Sequence, residues 1–217
     1  MNHETSDKDE TDQDEIKAAA KQAISADNIH ERIKSITLKA LSERQLDKEA
    51  IKSVVTLVLQ GVSEGVGDSA ERMKPQISEA LSGIDSALGK SAIAAQLASE
   101  EVVGKVSDFV KSDAKEAIDQ LLSLEDMFID TINLVAKESS TLTANVFSEL
   151  SEHMQKSGTQ SGKEAIAAAD RLKDIILEAG KGSVSEIASS TEAAGQQFSQ
   201  IASGILAGMA EAIRVKK

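Results

Sequence analysis

Residues 123–156 read SLEDMFIDTINLVAKESSTLTANVFSELSEHMQK, and they carry the most regular apolar pattern of the chain. The pattern recurs at steps of three and four residues, which places its members on one face of an α-helix. The members are Phe128, Ile132, Val135, Ser139, Leu142, Val146, Leu150 and Met154. The three final steps of four depart from a strict heptad and favour a straighter or locally unwound helix. We therefore predict a long amphipathic helix over 123–156.

Stripes of the same kind flank this segment. One precedes it, formed by Ile77, Leu81, Ile84, Leu88, Ala92 and Ala95, and another follows it, formed by Ile166, Ala169, Leu172, Ile176 and Ala179. Proline, which interrupts helices, occurs once, at Pro75. Sustained period-two alternation, which would indicate strands, is not found. The sequence thus predicts an all-α fold, an elongated bundle with coiled-coil-like packing of long amphipathic helices and a smaller N-terminal helical module.

Composition divides the chain into three parts. Residues 1–15 carry seven acids against Lys8, a net charge of −6, and predict a disordered acidic tail. Residues 16–75 predict a module of short helices, with helix starts at Asn28 and Asp47. Residues 76–217 predict a bundle of long helices that turns near 157–162, where Ser, Gly and Thr cluster. Within this bundle, Ser123 and Asp126 resemble a capping box at a helix start.

Charge and composition exclude several classes of function. The net charge of −12 argues against nucleic-acid binding, which needs clustered Lys and Arg. No apolar run approaches the length of a transmembrane helix, and the acidic N-terminus is the opposite of a signal peptide. The chain has no Cys, hence no disulfide framework and no thiolate chemistry. We expect a cytoplasmic protein, either free or associated with a granule or membrane surface.

No catalytic, cofactor-binding or metal-binding residues are predicted. His30 follows Asp27 and His153 follows Glu149 at helical spacing, but neither pair matches the motifs of a carboxylate-bridged metal bundle. No nucleophile motif or phosphate-binding loop is present. We therefore expect a protein that is not an enzyme and has no cofactor.

Two glycine pairs have the spacing of close helix packing. They are Gly61 with Gly65 and Gly204 with Gly208, each one helical turn apart. We interpret them as packing sites only.

The C-terminal stripe gives the strongest functional indication. Phe198, Ile201, Ile205 and Met209 share a helical face, and basic residues close the chain. Basic residues there favour the helix dipole of an ordinary bundle helix. The same pattern suits an interfacial helix, with its apolar face in lipid and its cations at the headgroups. Both alternatives stay open at this point.

The long-helix part resembles the phasins, helical proteins that coat bacterial polyhydroxyalkanoate granules. The resemblance lies in 76–217, which lack Pro and Cys and carry stripes diluted by Ala, Ser and Gly, including Met127-Phe128 and residues 144–150 (ANVFSEL). It implies an oligomer without an active site, whose amphipathic surface settles on polymer. The alternative is a cytoplasmic helical scaffold or adaptor that packs on protein partners or on itself.

The residues expected to form the apolar or helix-packing surface are named from the stripes. They are Phe128, Ile132, Val135, Leu142, Val146, Leu150, Phe198, Ile201, Ile205 and Met209. The expected partners are further copies of the chain and a granule or lipid surface.

Overall fold

The computed structural model describes residues 4–44, 47–67, 69–103, 113–179, 204 and 206, and it confirms the all-α class. No strand occurs within these residues. The helices pack as a bundle. In chain order they are α1 (Glu4–Ala23), α2 (Ile29–Ser42), α3 (Lys48–Gly65), α4 (Ala70–Val103), α5 (Asp113–Leu122), α6 (Leu124–Glu138), α7 (Thr141–Ser157) and α8 (Gln160–Ala179).

The predicted helix starts are formed in different ways. Asp47 caps α3, since its Oδ1 accepts the N–H of Ala50 at 2.8 Å. Asn28 stands at the start of α2, but its side chain accepts from Arg32 Nε instead of a backbone N–H. The capping box expected at Ser123 is not formed. The hydroxyl of Ser123 donates back to the carbonyl of the preceding turn.

The acidic N-terminal residues are helical, contrary to the predicted disordered tail. Helix α1 begins at Glu4 and includes the acidic run up to Glu15. The same helix continues to Ala23 and packs against α3.

The long helix predicted over 123–156 is wrong, because the segment breaks into α6 and α7. Ser139 ends α6 in an extended conformation, and Ser140 caps α7 by accepting the N–H of Thr143 at 3.4 Å. The two helices fold back on each other, since Ser151 Oγ donates to Asn133 Oδ1 at 2.8 Å. The apolar stripe is therefore divided between two helices that run in opposite directions. The turn predicted near 157–162 is present, between α7 and α8.

Helix α4 passes through the predicted division at residue 76. It begins at Ala70, and Pro75 lies in its second turn. The helix packs mainly against α2 on one side and α8 on another. The separation into a short-helix module and a long-helix bundle stays a prediction, although the central helix joins both parts.

Three of the main helix pairs run parallel. Gly61 and Gly65 of α3 face Lys17 and Lys21 of α1, so the two helices advance together. Gln76 of α4 donates to the carbonyl of Ile24, just before α2, and Gly83 further along faces His30. Asp85 likewise binds Gln160 at the start of α8, and Gly89 further along faces Glu164. Each of these pairs joins helices that are separated in the chain by at least one other helix.

One apolar core joins the helices. The α4 stripe predicted from sequence is buried at its four large residues, and each such side chain contributes roughly 1.5–3 kcal/mol when removed from water. The largest fully buried side chains are Phe128, Phe147, Ile24, Ile33, Leu38, Leu41, Leu59, Ile77, Ile84, Leu88, Ile132 and Leu172.

Candidate interaction surface

Three of the residues predicted to form an interaction surface lie in the core. Phe128, Ile132 and Val135 of α6 are buried and belong to the apolar cluster. They therefore pack against other helices of the chain, which is one of the two roles expected for them; the other is contact with an external apolar surface. In the folded bundle they do not reach a partner.

The remaining predicted residues fall into two groups. On α7, Leu142 is 42% exposed, whereas Val146 and Leu150 are partly buried against the core. Phe198, Ile201, Ile205 and Met209 lie outside the described residues.

Leu206, which the sequence analysis did not single out, is fully buried and belongs to the core cluster. Leu206 is the neighbour of Ile205, which belongs to the predicted C-terminal stripe. A stripe at steps of three and four fixes a face only to within about one residue, since one residue turns a helix by about 100°.

Helix α8 carries the two most exposed large apolar residues of the described chain. Ile166 is 52% exposed and Leu177 is 63% exposed. They are eleven positions apart, about three helical turns, so they lie on the same side of the helix. This side is the candidate interaction surface, which we call the outer face of α8. Four other large apolar side chains are also exposed: Leu97, Leu122, Leu134 and Leu142.

The inner face of α8 is made of small residues. Ser161, Gly162, Ala165, Ala168, Ala169 and Leu172 are the buried positions. The predicted stripe that begins at Ile166 is therefore divided, because Ala169 and Leu172 are buried whereas Ile166 is exposed. Small residues face inward because α8 lies close to α4. A Cβ on Gly89 would stand 3.3 Å from Glu164 Cγ and 3.7 Å from its Cβ.

Asp85 of α4 holds the start of α8. Its Oδ2 accepts the N–H of Gln160 at 2.8 Å, and its Oδ1 accepts the N–H of Ser161 at 2.8 Å. These amides belong to the first turn of α8 and have no partner within the helix. Ser86, next to Asp85, donates to Gln160 Oε1 at 3.0 Å.

Glu125 of α6 supplies a second carboxylate at the same place. Its Oε1 accepts the N–H of Thr159 at 2.7 Å, and Thr159 Oγ1 accepts the N–H of Gly162 at 2.8 Å. A Cβ on Gly162 would stand 2.5 Å from Glu125 Oε2, so glycine makes room for the carboxylate. We call Asp85 and Glu125 the carboxylate cap of α8.

Sequence reasoning missed the carboxylate cap and read 157–162 as a polar linker. Thr159 three residues before Gly162 is a local signal for a helix start. Asp85 and Glu125 give no such signal, because they lie 75 and 34 positions from the amides that they bind.

The first glycine pair packs α3 against α1. A Cβ on Gly61 would overlap the carbonyl oxygen of Lys17, and one on Gly65 would stand 2.6 Å from that of Lys21. The interpretation of Gly61 and Gly65 as a packing site is confirmed. Of the second pair, a Cβ on Gly204 would meet no atom of the described residues within 4 Å, and 208 lies outside those residues.

A charged cluster borders this glycine packing. Glu64 lies 2.5 Å from Lys17 Nζ and 3.5 Å from Lys21 Nζ. The hydrogen bond from Lys17, strengthened by its charge and by Lys21, holds the pKa of Glu64 below its usual value. The cluster therefore joins α1 and α3 through opposite charges.

Of the three histidines, the structure describes His30 and His153, and neither belongs to a ligand set. His30 Nε2 is 3.6 Å from Glu31, and His153 lies beside Ser157. Glu149, which the sequence placed near His153, pairs with Lys74 of α4 at 2.6 Å. Among the described residues, no three His, Asp or Glu side chains are grouped so that they could hold a metal ion.

Within the described part of the chain, each helix is too short or too polar to cross a membrane. Comparisons with curated proteins and with solved structures find no match. A protein-family model matches residues 6–215, nearly the whole chain. The match includes all described helices from α2 to α8, the carboxylate cap and the outer face of α8. The chain therefore belongs to DUF6781, a family of unknown function.

Proposed function

We propose that this is a non-enzymatic amphipathic helical protein that coats an apolar surface, such as that of a polymer granule, in the manner of the phasins. The observation that carries the proposal is the outer face of α8. Ile166 and Leu177 remain largely in water although the same helix buries mainly small residues. An apolar surface would remove these two side chains from water, which the bundle does not do.

The helical architecture supports adsorption for a second reason. Helices satisfy most of their backbone hydrogen bonds internally, so separating them frees only the terminal amides that another helix caps, such as those at the start of α8. Hydrophobic burial is non-directional, so a polymer surface can replace the core as the partner of an apolar stripe. Under this proposal, the buried stripe of Phe128, Ile132 and Val135 becomes available when the bundle spreads.

The proposal includes a cytoplasmic, peripheral location and self-association. Small, apolar side chains such as those on α8 and α4 permit close pairing of helices within or between copies. Peripheral binding is what an amphipathic helix without a spanning segment can achieve.

A helical scaffold that packs only on protein is the second candidate. It is favoured by the burial of Phe128, Ile132 and Val135, since these side chains already find partners inside the chain. A scaffold would hold a fixed oligomer and a sharp melting transition, and it would ignore apolar particles.

Circular dichroism and light scattering test the proposal. The purified chain is measured alone, with polyhydroxybutyrate particles, and with phosphatidylcholine vesicles. The expected result is co-sedimentation with the polymer particles and retained or increased helicity. Failure of the wild-type chain to bind either particle, together with a fixed oligomer and a sharp melt, would overturn the proposal in favour of the scaffold.

A pair of matched variants locates the binding face. Ile166→Gln with Leu177→Gln removes the apolar character of the outer face of α8. Leu122→Gln with Leu134→Gln removes two similarly exposed leucines of α5 and α6 and serves as the control. We expect the α8 variant to bind particles about tenfold more weakly or worse, and the control to stay within about threefold of wild type. Equal losses in the two variants would contradict a binding face on α8.

A further inference from the structure

The attachment of α8 to the bundle differs from that of α2. The buried residues that α2 brings to the core include Ile33, Leu38 and Leu41. The inner face of α8 brings Ala165, Ala168 and Ala169, and Leu172 is its one large buried side chain among the described positions. Alanine removes only one methyl group from water, so each such contact stabilises α8 less than a leucine would.

Polar contacts compensate at the start of α8. The carboxylate cap accepts three backbone N–H groups, two at Asp85 and one at Glu125, at 2.7–2.8 Å. Hydrogen bonds with a charged acceptor are stronger than those between neutral groups. They also place negative charge at the positive end of the helix dipole. The two carboxylates come from α4 and α6, so they fix α8 to both helices at once.

We propose that the carboxylate cap controls the release of α8 from the bundle, and that this release sets how fast the protein spreads on an apolar surface. The proposal rests on the proposed function. A released α8 presents Leu172 and its alanines in addition to Ile166 and Leu177, so more apolar side chains can contact the surface than in the packed bundle. Spreading then begins at α8, while α2 and α3 remain packed.

Hydrogen exchange of the backbone amides tests the first half of the proposal without any particle. The variants are Asp85→Ala, Asp85→Asn and Glu125→Ala in the full chain. We expect exchange across 160–172 to accelerate about tenfold or more in the alanine variants, whereas exchange in α2 and α3 stays within about twofold of wild type. The asparagine variant keeps one accepting oxygen and is expected to fall between wild type and Asp85→Ala.

An engineered disulfide tests the second half. A Cβ on Gly89 stands 3.7 Å from Glu164 Cβ, within the range of about 3.5–4.5 Å that disulfides require. Gly89→Cys with Glu164→Cys therefore ties α8 to α4, and the chain has no other Cys to interfere. The control pair is Ser63→Cys with Ser139→Cys, whose hydroxyl oxygens lie 2.8 Å apart and which ties α3 to the end of α6.

Adsorption to polyhydroxybutyrate particles is followed by stopped-flow light scattering, with each disulfide oxidised and then reduced. We expect the α4–α8 disulfide to slow adsorption about tenfold and reduction to restore it. The α3–α6 disulfide should change the rate less than about twofold, and the alanine variants should adsorb faster than wild type.

Each alternative result has a definite meaning. Unchanged exchange in α8, or equal acceleration in α2 and α8, overturns the role of the carboxylate cap. Faster exchange with an unchanged adsorption rate overturns the link between release and spreading. A wild-type chain that binds no particle overturns the proposed function and the link, while the exchange data still decide whether Asp85 and Glu125 hold α8.

Discussion

A Cβ atom on Gly61 would overlap the backbone carbonyl oxygen of Lys17, so α1 and α3 approach to a distance that only glycine allows. The atoms that such a Cβ would meet are the backbone of Lys17 and the Cβ of Ala20, so no flexible side chain could move aside. The acidic helix α1 is thereby held against α3, although the first ten residues of α1 include no apolar residue.

Gly61→Ala should destabilise the fold by about 1–3 kcal/mol, because α1 must move away from α3 or α3 must distort. The better helix propensity of alanine offsets part of this loss. Urea unfolding followed by circular dichroism measures the difference. Gly204→Ala is the matched control, since no atom of the described residues lies within 4 Å of its Cβ position, and it should be neutral or stabilise by up to about 1 kcal/mol. Equal effects at both positions would contradict the close approach.

Phe128→Ala should destabilise the protein by about 3–5 kcal/mol, because it removes a fully buried ring and leaves a cavity. Thermal unfolding measures the loss. Leu142→Ala, at a residue of the same predicted surface that is 42% exposed, should cost less than about 1 kcal/mol. A small effect at Phe128 would mean that α6 does not pack in the core.

Asp47→Ala should cost about 1 kcal/mol, because the N–H of Ala50 loses its acceptor at the start of α3. Asn28→Ala should cost less, since the side chain of Asn28 accepts from Arg32 and not from a backbone N–H. Chemical denaturation of the two variants side by side makes the comparison. The reverse order would show that the start of α2 depends on its cap in solution.

The ion pairs of Glu64 with Lys17 and Lys21 should make the stability of the fold decrease in acid. The pKa of Glu64 is lowered in the folded chain by Lys17 and Lys21, so its contribution to stability is fully present above the unfolded pKa. That contribution is lost as the pH falls through the folded pKa. Glu64→Gln should therefore destabilise the protein slightly at neutral pH, by less than about 1 kcal/mol for so exposed a group. At strongly acidic pH, melting temperatures of variant and wild type should converge; a constant gap would contradict the assignment.

Sequence periodicity predicted the helical class and the inner face of α4 correctly, because a long helix with one partner on each side keeps a regular stripe. The same reasoning failed over 123–156. The stripe there continues through Ser139 at correct spacing, yet two adjacent serines end one helix and start the next. Periodicity reports which residues are apolar along the chain and does not report whether the helix axis reverses between them.

The orientation of α8 could not be predicted for a different reason. Ile166 and Ala165 are neighbours, and apolarity alone favours the larger residue as the buried one. The close approach to Gly89 makes the smaller residue the better fit. The distance between two helices depends on both of them, so the sequence pattern of one helix alone does not reveal it.

The parallel pairing of α1 with α3, α2 with α4 and α4 with α8 has a consequence for biosynthesis. In each of these three pairs, the first helix contacts its partner only after at least one further helix has been made. Contacts of this long sequence separation slow folding and leave apolar stripes in water during translation. Until α8 is complete, α4 lacks its partner on that side, and the apolar side chains that α8 later covers stay in water.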